Sequence, residues 1–269
     1  MTAPIPRPHP RGETLPTSVT DAVQVLLCDA DGNLFPSEEP AFAASAQVTN
    51  RFLTGLGVTG ALSAEQLRRA TTGMTFRRTA LALAAEHGVH EVPDLEAWVD
   101  EEKRVVTAHL QRTLTPDRSV IDPLTELGRH LVLAAVSSSA LTRLHTCLAA
   151  TGLNELIRTE LVFSAEDSLA TPTSKPDPAI YRYACERLGI EPAAGLAVED
   201  SVPGVRSAVA AGCPTIGNVV FVPAAERAQR IAALHDAGVL TVVSSWNELA
   251  DLLLPALGHR AATAEVPVR

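Results

Sequence analysis

Short apolar runs that alternate with helical stretches constrain this chain more than any other feature. Runs of strand length and apolar or β-branched character lie at 23–28, 130–136, 195–198 and 214–217, with weaker ones at 160–163 and 240–243. Helical stretches fall between them, at 140–150 before Gly152, 178–188 before Gly189 and 202–211 before Gly212. Strands that are apolar throughout are strands covered on both faces. Alternating with helices, they predict an α/β fold whose parallel, Rossmann-like sheet collects its reactive groups at the carboxyl ends of the strands.

One segment departs from this rhythm. Residues 39–115 hold no convincing strand and predict helices near 40–55, 63–70, 75–87 and 94–113, inserted after the first strand. The expected division is a Rossmann-like core at 21–36 and 116–255, an α-helical insert at 37–115, a flexible proline-rich tail at 1–20 and a C-terminal tail at 256–269. The tails mix Pro, Thr and charge without hydrophobic period.

Charge and cysteine usage narrow the partners. The chain has 22 basic against 31 acidic side chains and a formal charge of -9, which works against a hold on nucleic-acid backbones or anionic lipid. Cys28, Cys147, Cys185 and Cys213 lie far apart in apolar runs, without the spacing of a zinc site or redox dithiol. No apolar stretch has the length of a signal peptide or a membrane span. The expectation is a cytoplasmic, reducing setting with no membrane and no nucleic-acid partner.

Chemistry concentrates where the apolar runs end. The first leads into Asp29-Ala30-Asp31-Gly32-Asn33-Leu34, so two carboxylates two residues apart emerge on the same side of an extended chain. An acidic turn closing a strand is the plain alternative. A calcium loop is excluded, because Leu34 and Pro40 stand where an EF-hand needs Gly and Glu. The second run ends in Ser137-Ser138-Ser139 and opens a helix, which suits either an anion site or simple N-capping by Ser138 or Ser139.

Ser174-Lys175-Pro176-Asp177-Pro178 precedes another helix. Lys103 and Lys175 are the only lysines in a chain that otherwise uses arginine, so Lys175 reads as a compact point charge or as an exposed loop residue. A further apolar run ends in Glu199-Asp200-Ser201, again with two carboxylates before a helix. Separate strands of one sheet thus deliver acidic, basic and hydroxyl groups to one edge.

These motifs, in this order, closely resemble the haloacid dehalogenase superfamily: Asp-x-Asp-Gly, a Ser or Thr, a Lys and an acidic pair. The strings Lys175-Pro176-Asp177-Pro178 and Glu199-Asp200-Ser201-Val202-Pro203-Gly204 resemble the branch of phosphoglycolate phosphatases and β-phosphoglucomutases, in which a helical cap is inserted after the first motif. The resemblance implies a phosphatase that acts on a small phosphorylated metabolite, such as a sugar or polyol phosphate, with the cap closing over the site. Asp29 would be the covalent nucleophile and Asp31 the acid and base. Mg²⁺ would be held by Asp29, the Asp31 carbonyl, Asp200 and Glu199. Lys175 would neutralise charge, and Ser137 and Ser138 would hold phosphoryl oxygens.

The same resemblance frames the alternatives. Asp31 disfavours carbon–halogen cleavage, since members with that activity lack an aspartate there. The missing lysine near Arg68 and Arg69 disfavours phosphonate cleavage. Ala41, where mutases carry a histidine, weakens a phosphosugar mutase without removing it. A catalytically silent binding protein on the same fold is the remaining reading. Asn33 replaces the usual Thr or Val. Substrate choice is expected from a cap loop carrying Gly73 and Arg77, although an exposed arginine starting a helix gives the same pattern. Gly55-Leu56-Gly57-Val58-Thr59-Gly60 spells a dinucleotide fingerprint but follows a helical stretch. No zinc-protease or serine-hydrolase motif occurs. The sequence leaves the oligomeric state open.

Overall fold

The computed structural model describes residues 15–71 and 75–258. Helix α1 (Thr17–Ala22) leads into strand β1 (Val25–Cys28), whose four side chains are all buried. Such a strand needs cover on both faces, and it takes the middle of a six-stranded parallel sheet ordered β3-β2-β1-β4-β5-β6. The other strands are β2 (Val132–Ser137), β3 (Val162–Ser164), β4 (Gly195–Glu199), β5 (Thr215–Asn218) and β6 (Val242–Val243). β1 registers Cys28 against Ala135 on one side and Val198 on the other. The strand order runs outward in both directions from β1, which opens a crevice at the carboxyl ends of β1 and β4.

Two compact units divide the chain. Pro36–Leu114 forms one, and the segments Met1–Phe35 and Thr115–Arg269 form the other. The helical unit contains α2 (Glu38–Gly55), α3 (Ala64–Thr71), α4 (Phe76–Glu86) and α5 (Leu95–Thr113). Its own core gathers Phe52, Leu53, Leu67, Ala80 and Leu83, with Phe52 edge-on to Trp98 at 5.8 Å. Asn50 clasps the loop before α3 by accepting from the Leu62 N–H at 2.8 Å and donating to its carbonyl at 2.9 Å.

In the sheet unit the connecting helices are α6 (Arg118–Leu127), α7 (Leu141–Thr151), α8 (Ala179–Leu188), α9 (Val202–Ala211), α10 (Ala224–Ala237) and α11 (Trp246–Leu257). Trp246 and Tyr181 are the largest side chains fully buried. Each strand–helix pair follows the expected α/β alternation. The N-terminal stretch expected as a tail differs from Thr17 on: α1 is helical there, and it buries Thr20 beside the buried Leu15 and Val23. Two apolar residues and one threonine, at 15, 20 and 23, are too little pattern to signal so short a helix. Residues 1–14 and 259–269 of the expected tails lie outside the described residues. Among the described residues, no helix is long and apolar enough to cross a membrane.

Candidate active site

The β1–β4 ladder runs one residue past β1, where the Asp29 N–H donates to the Val198 carbonyl at 2.9 Å. The chain then turns at Gly32, whose φ of 76° favours glycine. The Leu34 N–H closes the turn onto the Ala30 carbonyl at 2.9 Å. Asp29 is left buried at the strand end, and Asp31 is part-exposed one pleat further on.

Lys175 enters from the loop before α8 with its side chain only 6% exposed, which excludes the exposed-loop reading. Its ammonium donates to an Asp29 carboxylate oxygen, to Glu199 Oε1 at 2.6 Å and to the Val136 carbonyl at 2.8 Å. The Tyr181 hydroxyl, one turn into α8, donates to the same Glu199 oxygen, and the Lys175 ammonium lies 5.3 Å from the Tyr181 ring centre. One ammonium therefore bridges the ends of β1 and β4.

Burial sets the electrostatics. Desolvation pushes the Asp29 carboxyl up to about 8; Lys175 opposes the shift, while Glu199 and Asp31 reinforce it. Burial pulls Lys175 down, but Asp29 and Glu199 more than offset it, and its ammonium is held protonated. Burial, then Glu199, raises Tyr181 well above the ordinary phenol value, so it serves as a donor. The cluster resists further negative charge until more positive charge arrives.

Asp29, Glu199 and Asp200 bring ligand oxygens within 4.8 Å of one another, and all three are buried. Arg230 on α10 donates to the Asp200 carbonyl at 2.8 Å and approaches its carboxylate at 3.7 Å. A donor set made only of carboxylate oxygens suits a hard divalent cation such as Mg²⁺. Glu199 Oε2 is buried without a hydrogen-bond partner, which leaves an acceptor for such a group or its water. That oxygen lies where a Cβ on Gly204 would stand, 1.7 Å away, so only glycine admits the Glu199 carboxylate against the first turn of α9. The residues present fit a cation.

The serines divide their work differently from simple capping. The N-cap of α7 is Ala140, with no side-chain cap bond. The exposed Asp167 carboxylate, from the loop after β3, accepts from the Leu141 N–H at 2.6 Å instead. Ser138 Oγ accepts from the Lys175 N–H at 3.1 Å and fixes the lysine loop, and Ser137 Oγ accepts from the Ser139 N–H at 3.0 Å. Ser139 Oγ donates to Asp31 at 2.7 Å, and Arg143, one turn into α7, donates to the other Asp31 oxygen at 2.8 Å.

The structure thus brings Asp29, Asp31, Ser137, Ser138, Lys175, Glu199 and Asp200 to one sheet edge. Tyr181, Arg143 and Arg230 join them without having been singled out in the sequence. Their signal was position: Tyr181 and Arg143 each stand in the first turn of a helix that starts at this edge. Of the residues expected to choose substrate, Gly73 lies outside the described residues. Arg77 sits in the helical unit, paired by both terminal nitrogens with Glu96.

A family model described as haloacid dehalogenase-like hydrolase matches residues 23–212. The chain belongs to this family. Within the haloacid dehalogenase-like hydrolases it is 33% identical over 112 residues to a CBBY-like protein of Arabidopsis thaliana, a match that spans 40% of this chain and 33% of the relative. The chain therefore matches about a third of that relative's length. A longer match, 27% identical over 197 residues, joins 72% of this chain to 84% of the validoxylamine A 7'-phosphate phosphatase of Streptomyces hygroscopicus subsp. limoneus. Among solved structures, a family hydrolase from Deinococcus radiodurans R1, crystallised with phosphate and sodium, superposes with a TM-score of 0.63 at 28% identity, over 87% of this chain and 96% of that one.

Proposed function

We propose that this hydrolase is a Mg²⁺-dependent phosphatase of small phosphorylated metabolites, sugar or polyol phosphates by class, working through an aspartyl phosphate. The observation that carries the reading is the buried Lys175 ammonium, bonded at once to the carboxylates of Asp29 and Glu199. A phosphate monoester repels nucleophiles by its own charge, so the site must supply position and positive charge. Lys175 supplies a fixed positive charge beside the attacking oxygen.

In the first step an Asp29 oxygen forms a bond to phosphorus while the bond to the leaving alcohol oxygen breaks in line. That alcohol takes its proton from Asp31. In the second step Asp31 takes a proton from water, the water oxygen bonds to phosphorus and Asp29 is released with inorganic phosphate. Ser139 and Arg143 each donate to Asp31 and so fix the carboxylate that takes up the water's proton in the second step. Ser137 and the N–H groups of Ala30 and Ser138 hold phosphoryl oxygens, and Ser138 Oγ steadies the Lys175 loop.

A bound Mg²⁺ supplies charge neutralisation at the transferring phosphoryl group. The Asp29 carboxylate, the Asp31 carbonyl and Asp200 would hold it, and Glu199 would help directly or through a water by its unpaired Oε2, since Oε1 is committed to Lys175 and Tyr181. The named phosphatase relative and the phosphate-bound structural neighbour support the reaction class. The four free, buried cysteines support a reducing cytoplasmic setting.

The test is phosphate release from a panel of sugar, polyol and small-acid phosphates, with and without Mg²⁺, for the wild type and Asp29→Asn. Metal-dependent release that vanishes in the variant is expected. An isomeric phosphate ester in place of free phosphate would make the protein a mutase, and no turnover of any compound would make it a binding protein.

A further inference from the structure

Asn33 has no part in the reaction just described, yet it is fully buried beside it. Its carboxamide nitrogen donates to the Asp29 carbonyl at 2.9 Å and to the Val198 carbonyl at 3.0 Å. These carbonyls stand at the ends of β1 and β4, the strands that carry Asp29 on one side and Glu199 and Asp200 on the other. One side chain therefore ties together the two strand ends whose carboxylates converge, just where the ladder between them stops.

The carboxamide oxygen is also used. Asn33 Oδ1 accepts from Asn218 Nδ2 at 2.9 Å, and Asn218 Oδ1 accepts from the Val220 N–H at 3.1 Å. Trp246 Nε1 donates to the Asn33 carbonyl at 3.1 Å. Asn218 and Trp246 are likewise fully buried. The Val220 N–H fixes which way Asn218 faces, Asn218 then fixes Asn33, and Asn33 presents both N–H bonds to the strand ends. Thr offers one donor, Asp none and Val none, so only a carboxamide of this length meets two carbonyls and one donor together. Breaking any link leaves a buried polar group unpaired.

We propose that Asn33, held in orientation by Asn218, is a positioning residue that sets the spacing between Asp29 and the Glu199–Asp200 pair and thereby the affinity of the site for its divalent cation. The inference rests on the cation site of the proposed function. Partners that orient ligands from behind typically change metal affinity by about ten- to a hundredfold when removed.

The experiment is calorimetric titration of the full chain with MgCl₂ for the wild type, Asn33→Thr, Asn218→Ala and, as a control on the site itself, Asp200→Asn, alongside steady-state kinetics. Asn33→Thr should weaken Mg²⁺ binding by about tenfold or more. Its kcat at fixed Mg²⁺ should fall while its substrate KM moves little, and excess Mg²⁺ should restore much of the rate. Asn218→Ala should shift the same quantities in the same direction by less, and it carries the test alone if Asn33→Thr does not fold. Folded variants that bind Mg²⁺ as tightly as the wild type, whatever their thermal midpoint, overturn the inference. A wild type that binds no Mg²⁺, or an Asp200→Asn that binds it equally well, overturns the cation site and this inference with it.

Discussion

Glu65 in the helical unit and Asp29 at the sheet edge are both carboxylates in contact with cations, and they respond in opposite ways. Glu65 lies exposed between Arg68 and Arg69, whose hydrogen bonds hold its carboxyl well below the usual range. Asp29 touches Lys175, yet burial pushes its carboxyl up to about 8. Attraction decides where water remains to share the charge, and desolvation decides where it does not. The exposed pairs of the helical unit therefore decorate a surface, whereas the sheet edge holds charges that the fold must keep matched.

Removing the match should have the largest effect. Lys175→Met leaves two buried carboxylates without their cation, and an uncompensated buried charge costs about 3–5 kcal/mol. Phosphate release should also fall by at least about a hundredfold, the loss typical of one preorganised charge-stabilising donor. Denaturant unfolding and a phosphate assay measure the two separately. A variant as stable as the wild type would show that the cluster is far better solvated than the 6% exposure of the Lys175 side chain indicates.

Gly204→Ala comes next. The added methyl would overlap Glu199 Oε2 at 1.7 Å, so the buried carboxylate or the first turn of α9 must move, at about 1–3 kcal/mol. Activity should drop with stability, since displacing Glu199 also disturbs Lys175. Tyr181→Phe keeps the ring and removes one donor from the Glu199 oxygen, with an expected loss of about 1–2 kcal/mol and a modest fall in rate. The smallest effect belongs to the other region: Glu96→Gln breaks the exposed pair with Arg77 and should leave the unfolding midpoint within experimental scatter. A large shift there would erase the contrast between the two regions.

Much of this organisation was legible from the order of residues. Apolar runs gave the strands because a strand buried on both faces has no polar positions to spare, and the helices of the insert read directly from their length and period. The acidic, lysine and serine motifs were visible because each ends an apolar run. What stayed hidden is contact made across sequence distance. Nothing near Tyr181 announces that its hydroxyl meets Glu199, and Asn33 and Asn218 are joined only once β1 and β5 take their places on either side of β4. The serine run left two readings open for a related reason: Ser138 and Ser139 have the composition of a helix cap, but partners at Lys175 and Asp31 claim their hydroxyls, and Asp167 meets the helix end. Local patterns tell what a residue can bond, and the fold decides which partner arrives.

The central claim is that Asp29 itself takes the phosphoryl group. The direct measurement is rapid acid quenching of the enzyme during turnover of a phosphomonoester with Mg²⁺, followed by mass spectrometry of its peptides. The account predicts one added phosphoryl group on the peptide carrying Asp29, lost in Asp29→Asn. Sustained phosphate release by Asp29→Asn, or a phosphoryl group found on another residue, would contradict it.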